Sequence, residues 1–567
     1  MRPKDWWKDA VIYQIYTRSF QDSNGVGIGD FQGIISRLDY IKNLGVDIIW
    51  LSPFFKSPND DNGYDVSDYR EVNPEFGTLE DLKQLISQAK ALGLEVMMDL
   101  VFNHTSDEHP WFVESKSSLS NPKRHWYHWA KSKNPGEAPN NWNSYFGGST
   151  WELDPITQEY YLHIFSKKQP DLNWSNPEVR KELHDIAHFW IDLGIGAFRL
   201  DAIHHIGKPE SYPDYPKASD VFRLYKNIPE THAYLKEFRE MVCNPRGILT
   251  VGETGGTTPQ SSRLYVDQGR KELDMIFHFD HHWLRNPRDP VLLGKTISDW
   301  FKPLSKQGWD AQFFSNHDLP RQVSVFGDEG PFRRASAQTI ATLLLTSWGT
   351  PYLYQGEEIG MTNSYFPKPE DYQDKHALQH YYDSLNKGED PTLAWDMFQA
   401  RGRDSGRTPM PWSTEPQGGF TQGAPWIALG SRWPEINVET DQSSPSSVFV
   451  WYQKLILLRK KQVVLRRGDF QLFGEPHPQV LAYTRYFQEP QGRKVRALIV
   501  LNWTRGIIGY TVKGNLRGAK PREFHLAEGN YARTEINPSN PIPLPVLGEE
   551  LPQKFTLRPW ESRIYIT

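Results

Sequence analysis

Eight short runs rich in β-branched and aromatic residues recur along the chain, at 11–16, 46–51, 95–102, 196–200, 248–251, 275–279, 311–314 and 350–354. Helical patterns separate them. Strand and helix alternating this often predict parallel strands joined by crossover helices, and eight repeats are what a (β/α)8 TIM barrel requires. The intervening segments carry explicit start and stop signals. Thr78 with Asp81 reads as a capping box, and that helix ends before Gly93. Asn176 and Pro177 supply an N-cap and a first-turn proline, after which Val179, Leu183, Ile186, Trp190 and Leu193 recur at helical spacing up to Gly194.

Two stretches break the alternation. Residues 104–172 are too long, and too rich in Trp, Asn, Gly and Pro, for a plain strand-to-helix connection, so they predict a subdomain inserted after the third strand. From 468 onward, strand-like runs lie between Pro- and Gly-rich turns and predict an all-β domain. The expected organisation is a catalytic barrel in two parts, 1–103 and 173–467, with the insertion at 104–172 and a C-terminal β-sandwich at 468–567.

Composition removes several classes of partner. With 64 basic and 69 acidic residues the net charge is −5, which gives no electrostatic reason to expect nucleic acid or an anionic membrane. The N-terminal stretch is charged and lacks the apolar core of a signal peptide, and no run approaches the roughly 18 apolar residues of a membrane span. A single cysteine, Cys243, excludes an intramolecular disulfide and fits a reducing compartment. A cytoplasmic protein is expected. Aromatic residues make up 13% of the chain, 21 of them Trp. Rings pack well against the C–H faces of sugars, although a large core uses them equally.

Chemistry on a barrel is carried where the strands end at their C-terminal side. Here the third strand runs into Asn103 and His104, the fourth holds Arg199 with Asp201 just after it, Glu253 follows the fifth, and His317 and Asp318 follow the seventh. Each has a plain alternative: Asp201 could cap a helix, Glu253 could be a structural partner of Arg199, and either histidine could be a satisfied core residue. Together on one rim they suit glycoside hydrolysis, which needs one ionised carboxylate to attack and one protonated carboxyl to donate. Arg199 shares a strand face with Asp201 because strand side chains alternate, and a guanidinium there holds an anion. The chain has neither a His-Glu-x-x-His run nor a Gly-rich phosphate loop ending in Gly-Lys-Ser/Thr, which disfavours metal hydrolysis and phosphate chemistry.

The stretches from Asp99 to His104, Gly196 to Asp201, Val251 to Glu253 and Phe314 to Asp318 resemble the four ordered motifs of the α-amylase family of retaining glycoside hydrolases. Residues 6–16, 63–69, 169–174 and 407–412 extend the resemblance to its oligosaccharide α-glucosidase branch. The resemblance implies that Asp201 is the nucleophile, Glu253 the general acid/base and Asp318 a third acid that orients the sugar. It implies that His104, Arg199 and His317 contact the non-reducing glucose. Asp65 and Arg407 would close the pocket, with Tyr64 as its stacking platform and Phe165 and Gln169 in its wall. Such closure implies exo-action on small oligosaccharides, with no cofactor needed for catalysis.

The loop from Asp22 to Asp30 resembles the family's cation-binding loop. Asp22, Asn24, Ile28 and Asp30 would then hold a structural Ca2+ or Mg2+, but Val26 stands where relatives carry a further acid. In relatives the residue after the nucleophile tends to be Val for α-1,6 bonds and Ala or Thr for α-1,4 bonds; Ala202 here implies α-1,4 preference. An α-1,6-preferring enzyme, a sucrose isomerase or transglucosylase, and a non-catalytic transporter-associated relative are the alternatives. The Arg-Leu-Asp-Arg signature of the sucrose isomerases is not seen after the sixth strand, and the chain keeps all three acids, unlike the transporter-associated relatives.

Overall fold

The computed structural model describes residues 5–134, 136–215, 226–531 and 544–567. The chain forms two compact units, one of Met1–Ile48, Phe279–Ser305 and Asp310–Thr567, the other of Ile49–His278 and Lys306–Trp309. The eight expected strands are β1 (Ile12–Ile15), β2 (Ile48–Leu51), β3 (Glu95–Leu100), β4 (Ala197–Leu200), β5 (Leu249–Glu253), β6 (Met275–Phe277), β7 (Ala311–Gln312) and β8 (Thr350–Tyr354). Their order in one sheet is β6-β5-β4-β3-β2-β1-β8-β7, the cyclic order of a (β/α)8 barrel. β7 is shorter than the sequence predicts. Residues 313 and 314 leave the ladder, and their rings pack on His281 and His282.

In the unit built from Ile49–His278, β3, β4 and β5 pair in parallel, with Asp99 and Val251 both opposite Arg199. Helix α1 (Leu79–Ala91) begins with the expected reciprocal capping box of Thr78 and Asp81. Helix α2 (Pro177–Leu193) is capped by Asn176, buries Val179, Leu183, Ile186 and Trp190, and ends at Gly194 with φ 112°. Only glycine takes that backbone routinely. The segment 104–172 carries a three-stranded antiparallel sheet of Trp129–Ala130, Tyr160–Leu162 and Trp151–Leu153. Bridges from His104 to Asp171 and from Tyr127 to Leu172 draw its two ends together.

The other unit holds β1 paired with β8, and β8 with β7, all parallel. It also contains α3 (Pro290–Leu304), α4 (Arg333–Thr346), α5 (Lys375–Asn386), α6 (Pro391–Arg401) and α7 (Val448–Lys461). Helix α4 is buried almost all round, as a helix covered on several faces must be. Part of its cover is the C-terminal antiparallel sheet, ordered β9 (Gln471–Leu472), β10 (Val480–Gln488), β11 (Lys494–Asn502), β13 (Ser562–Ile566) and β12 (His525–Gly529). Among the described residues no helix is long and apolar enough to cross a membrane.

Candidate active site

Functional side chains gather in two groups, one within each compact unit. The first is built around Arg199, whose side chain is only 3% exposed. Its Nη1 donates to Asp99 Oδ1 at 2.7 Å and to Asp201 Oδ1 at 2.6 Å, and its Nη2 donates to Glu253 Oε2 at 2.6 Å. One guanidinium thus serves three carboxyls. Burial, followed by the charges of Glu253 and Asp99, lifts the Asp201 carboxyl well above its ordinary range against the pull of Arg199. Like charges this close each disfavour the other's ionisation, and Arg199 opposes that effect at Asp201.

The backbone fixes these groups. Asp201 N–H donates to the carbonyl of Leu100 at 3.0 Å, tying the end of β4 to β3. Ala202 turns into the left-handed region at φ 43° and donates its N–H to Glu253 Oε2 at 3.2 Å. A main-chain donor therefore helps to seat the fifth-strand acid, a contact no side-chain motif can announce. Asp99, a motif residue given no role in the sequence, also accepts from the Tyr64 hydroxyl at 3.1 Å.

His104, Phe165 and Gln169 come together. His104 Nε2 donates to the Tyr64 carbonyl at 3.0 Å, and the Phe165 ring lies 5.2 Å from the His104 ring and stacks on Tyr145. Gln169 Nε2 lies 3.1 Å from His104 Nε2 and donates to Asp61 Oδ2 at 3.2 Å. The oxygens of Asp65 accept from the Ser57 hydroxyl and from the N–H groups of Asp60 and Asp61, so it ties together its own loop. Burial raises its carboxyl to about 6 despite those donors. The acid that reaches Gln169 beside His104 is Asp61.

The second group is built around Asp318. Gln14 Nε2 lies 2.8 Å from His317 Nδ1, so Nδ1 accepts and Nε2 is the donor to Asp318 Oδ2 at 3.0 Å. The Tyr16 ring stacks on His317. Arg407 donates from Nε to the His317 carbonyl at 2.9 Å and from Nη2 to Asp318 Oδ1 at 2.6 Å. Burial alone would raise the Asp318 carboxyl, but His317, then Arg407 and Arg403, outweigh it and hold the group well below its usual range. Arg407 is 1% exposed. The more exposed Arg403 brings Nη1 to 3.5 Å from Asp318 Oδ1 and was not singled out by sequence.

The loop from Asp22 to Asp30 closes on itself. Asp22 Oδ1 accepts the N–H groups of Asn24 and Gly25, and Oδ2 accepts from Gly27 N–H and the Thr421 hydroxyl. Four donors fill the four lone-pair positions of a carboxylate. Asp30 accepts from Ser23 twice and caps the next helix through Gly33 N–H, while Asn24 Oδ1 accepts from Val26 N–H. Arranged this way, the donor set does not fit a hard cation, which needs those oxygens for itself. Among the described residues no group of three or more His, Cys, Asp and Glu is placed to hold a metal.

A family model described as the alpha amylase catalytic domain matches residues 14–468. The chain belongs to the alpha-amylase family. This alpha-amylase-family glycoside hydrolase is 45% identical to an oligo-1,6-glucosidase of Parageobacillus thermoglucosidasius, over 99% of this chain and 98% of that protein. It is 40% identical to the trehalose-6-phosphate hydrolase of Bacillus subtilis (strain 168), with 99% and 98% covered. Among solved structures, a trehalulose synthase variant in complex with Tris superposes with a TM-score of 0.91 at 39% identity, with 100% of both chains covered. The fold of the family, eight parallel strands in a nearly closed barrel followed by C-terminal β-sheets, is the fold described above.

Proposed function

We propose that this chain is a retaining, exo-acting α-glucosidase that releases α-glucose from the non-reducing end of short α-glucosides. The observation that carries this reading is the Arg199 fork, with Asp201 on one amino group and Glu253 on the other. Asp201 attacks the anomeric carbon while Glu253 gives its proton to the departing oxygen, so the glycosidic bond breaks as the glucosyl ester forms. Water, deprotonated by Glu253, then attacks the same carbon and frees Asp201. Two inversions return α-glucose. Asp318, kept anionic by His317, Arg407 and Arg403, takes the orienting role its motif implies. Asp61 and Arg403 join the glucose-binding set in place of Asp65 and Arg407. The single buried cysteine supports a cytoplasmic location.

The finer reading is a preference for α-1,4 bonds, and it rests on Ala202. A methyl group beside Asp201 leaves more room for the second sugar than an isopropyl group, a difference of about 1–3 kcal/mol between linkages. The second reading, α-1,6 preference, is supported by relatives named oligo-1,6-glucosidase. Initial product anomer by NMR, with rates on maltose, isomaltose and sucrose, tests both levels. α-Glucose as first product is expected; a β-anomer would sink the retaining mechanism, and faster hydrolysis of isomaltose would transfer the linkage assignment to the second reading. Asp201→Asn should abolish turnover, whereas Glu253→Gln should still cleave aryl glucosides whose leaving group needs no proton. Equal losses on both substrate types in Glu253→Gln would remove it as the acid.

A further inference from the structure

The segment that carries α5 and α6 is closed at its base by a reciprocal lock. Asp374, whose side chain is 1% exposed, accepts Arg403 Nε on Oδ2 at 2.9 Å and Arg403 Nη2 on Oδ1 at 2.8 Å. The N–H of Arg403 reaches the same carboxylate at 3.3 Å. In return, Asp404 Oδ2 accepts the N–H groups of Gln373 and Asp374 at 2.7 and 2.9 Å. Asp374 also caps α5 through Ala377 N–H at 3.2 Å.

A guanidinium is planar, with its donors in fixed directions. Once a carboxylate takes the Nε/Nη2 edge side-on, the direction of Nη1 is set. That remaining group is the one that reaches Asp318 Oδ1 at 3.5 Å, the oxygen to which Arg407 also donates. Arg407 is anchored separately, by the His317 carbonyl. The two arginines therefore converge on one oxygen from independent anchors, and the anchor of Arg403 is Asp374.

We propose that Asp374 is a positioning residue for the third acid: it aims Arg403 at Asp318, and through that contact sets how tightly the non-reducing glucose is held. The inference rests on the reading of Asp318 as the acid that orients this glucose. It separates from the capping role of Asp374 because asparagine is as good an N-cap as aspartate but cannot accept a two-pronged guanidinium with charge.

The experiment compares Asp374→Asn, Asp374→Glu, Arg403→Lys and the Asp374→Asn/Arg403→Lys double variant on maltose and an aryl α-glucoside, with Tm measured for each. Asp374→Asn should raise KM and lower kcat/KM by roughly 10- to 100-fold on both substrates, the scale of a small misplacement in a binding site. Both substrates should suffer alike because the contact is to the glucose they share. Asp374→Glu should recover part of the loss, and the double variant should be no worse than the poorer single one. A KM unchanged in Asp374→Asn, a loss of kcat alone that tracks a lowered Tm, or additive losses in the double variant would overturn the proposal. Asp318→Asn is run alongside. If it retains wild-type KM and kcat, the reading of Asp318 itself fails; if it is impaired while Asp374→Asn is normal, only the positioning role fails.

Discussion

Glu357 follows the eighth strand and is sealed from solvent, with one oxygen accepting from the Ser315 hydroxyl at 2.5 Å. Burial lifts its carboxyl from 4.5 to about 8, against that donor. A folded-state value above the unfolded one means that the folded chain binds the extra proton. The stabilisation is therefore full below about pH 4.5 and is lost as pH climbs through about 8. Glu357→Gln keeps a neutral side chain of similar shape, so its Tm should fall less than that of the wild type between pH 6 and pH 9. Parallel Tm profiles would dismiss Glu357 as a source of alkaline destabilisation. Sequence located candidate acids such as Asp65 but not their duties. Asp61 and Asp65 stand four residues apart, as do Arg403 and Arg407, and the motifs single out only Asp65 and Arg407. Only the count of donors around each group shows that Asp65 and Arg407 are fixed inward, while Asp61 reaches Gln169 and Arg403 is the more exposed partner of Asp318.

Among the elements, those with local chemistry were legible. The capping box of α1, and the Asn-Pro start and glycine stop of α2, are decided within a few residues of chain, so their signals survive in sequence. β7 was overextended because residues 313 and 314 are as β-prone as their neighbours, yet their rings pack on histidines some thirty positions away. The loop from Asp22 to Asp30 illustrates the same limit. Its spacing resembles a cation loop, but the Thr421 hydroxyl, from nearly four hundred residues away, completes the shell of Asp22. Since a ligand stabilises the native state only by binding it, neither chelator nor added Ca2+ should move Tm. A rise in Tm with Ca2+, reversed by chelator, would show that the loop opens to a cation. Replacing Thr421 by Val should lower Tm instead, because it leaves a buried carboxylate oxygen short of a donor, at a cost of about 1–3 kcal/mol.

At the scale of the whole chain, the C-terminal sheet is fastened to the barrel helices by one buried arginine, and a second braces the same helix ends. Arg485, on β10, donates to the carbonyls of Thr346, Ser347, Leu465 and Gly468. Arg459, on α7, donates to those of Leu345, Gly349 and Leu465. The carbonyls after α4 are the negative end of a helix dipole, which suits a cation there. Burial nevertheless lowers Arg459 to about 9 and Arg485 to about 10. Arg485→Met should therefore strand several buried carbonyls, lower Tm, and make the chain cleavable by protease near residue 468 before the barrel is attacked. A variant cut no faster than wild type would show that the fastening lies elsewhere. The division into compact units has a consequence during synthesis. The unit of Ile49–His278 is almost continuous in sequence and can fold as soon as it leaves the ribosome, whereas the other begins at the first residues and ends at the last. β1 pairs with β8, which emerges roughly 340 residues later, a wait of about 20–70 s at bacterial and eukaryotic elongation rates. Through that interval the edge of β1 that β8 will cover has no strand to lie against, so a nascent chain of this kind is exposed to mispairing at its beginning more than at its middle.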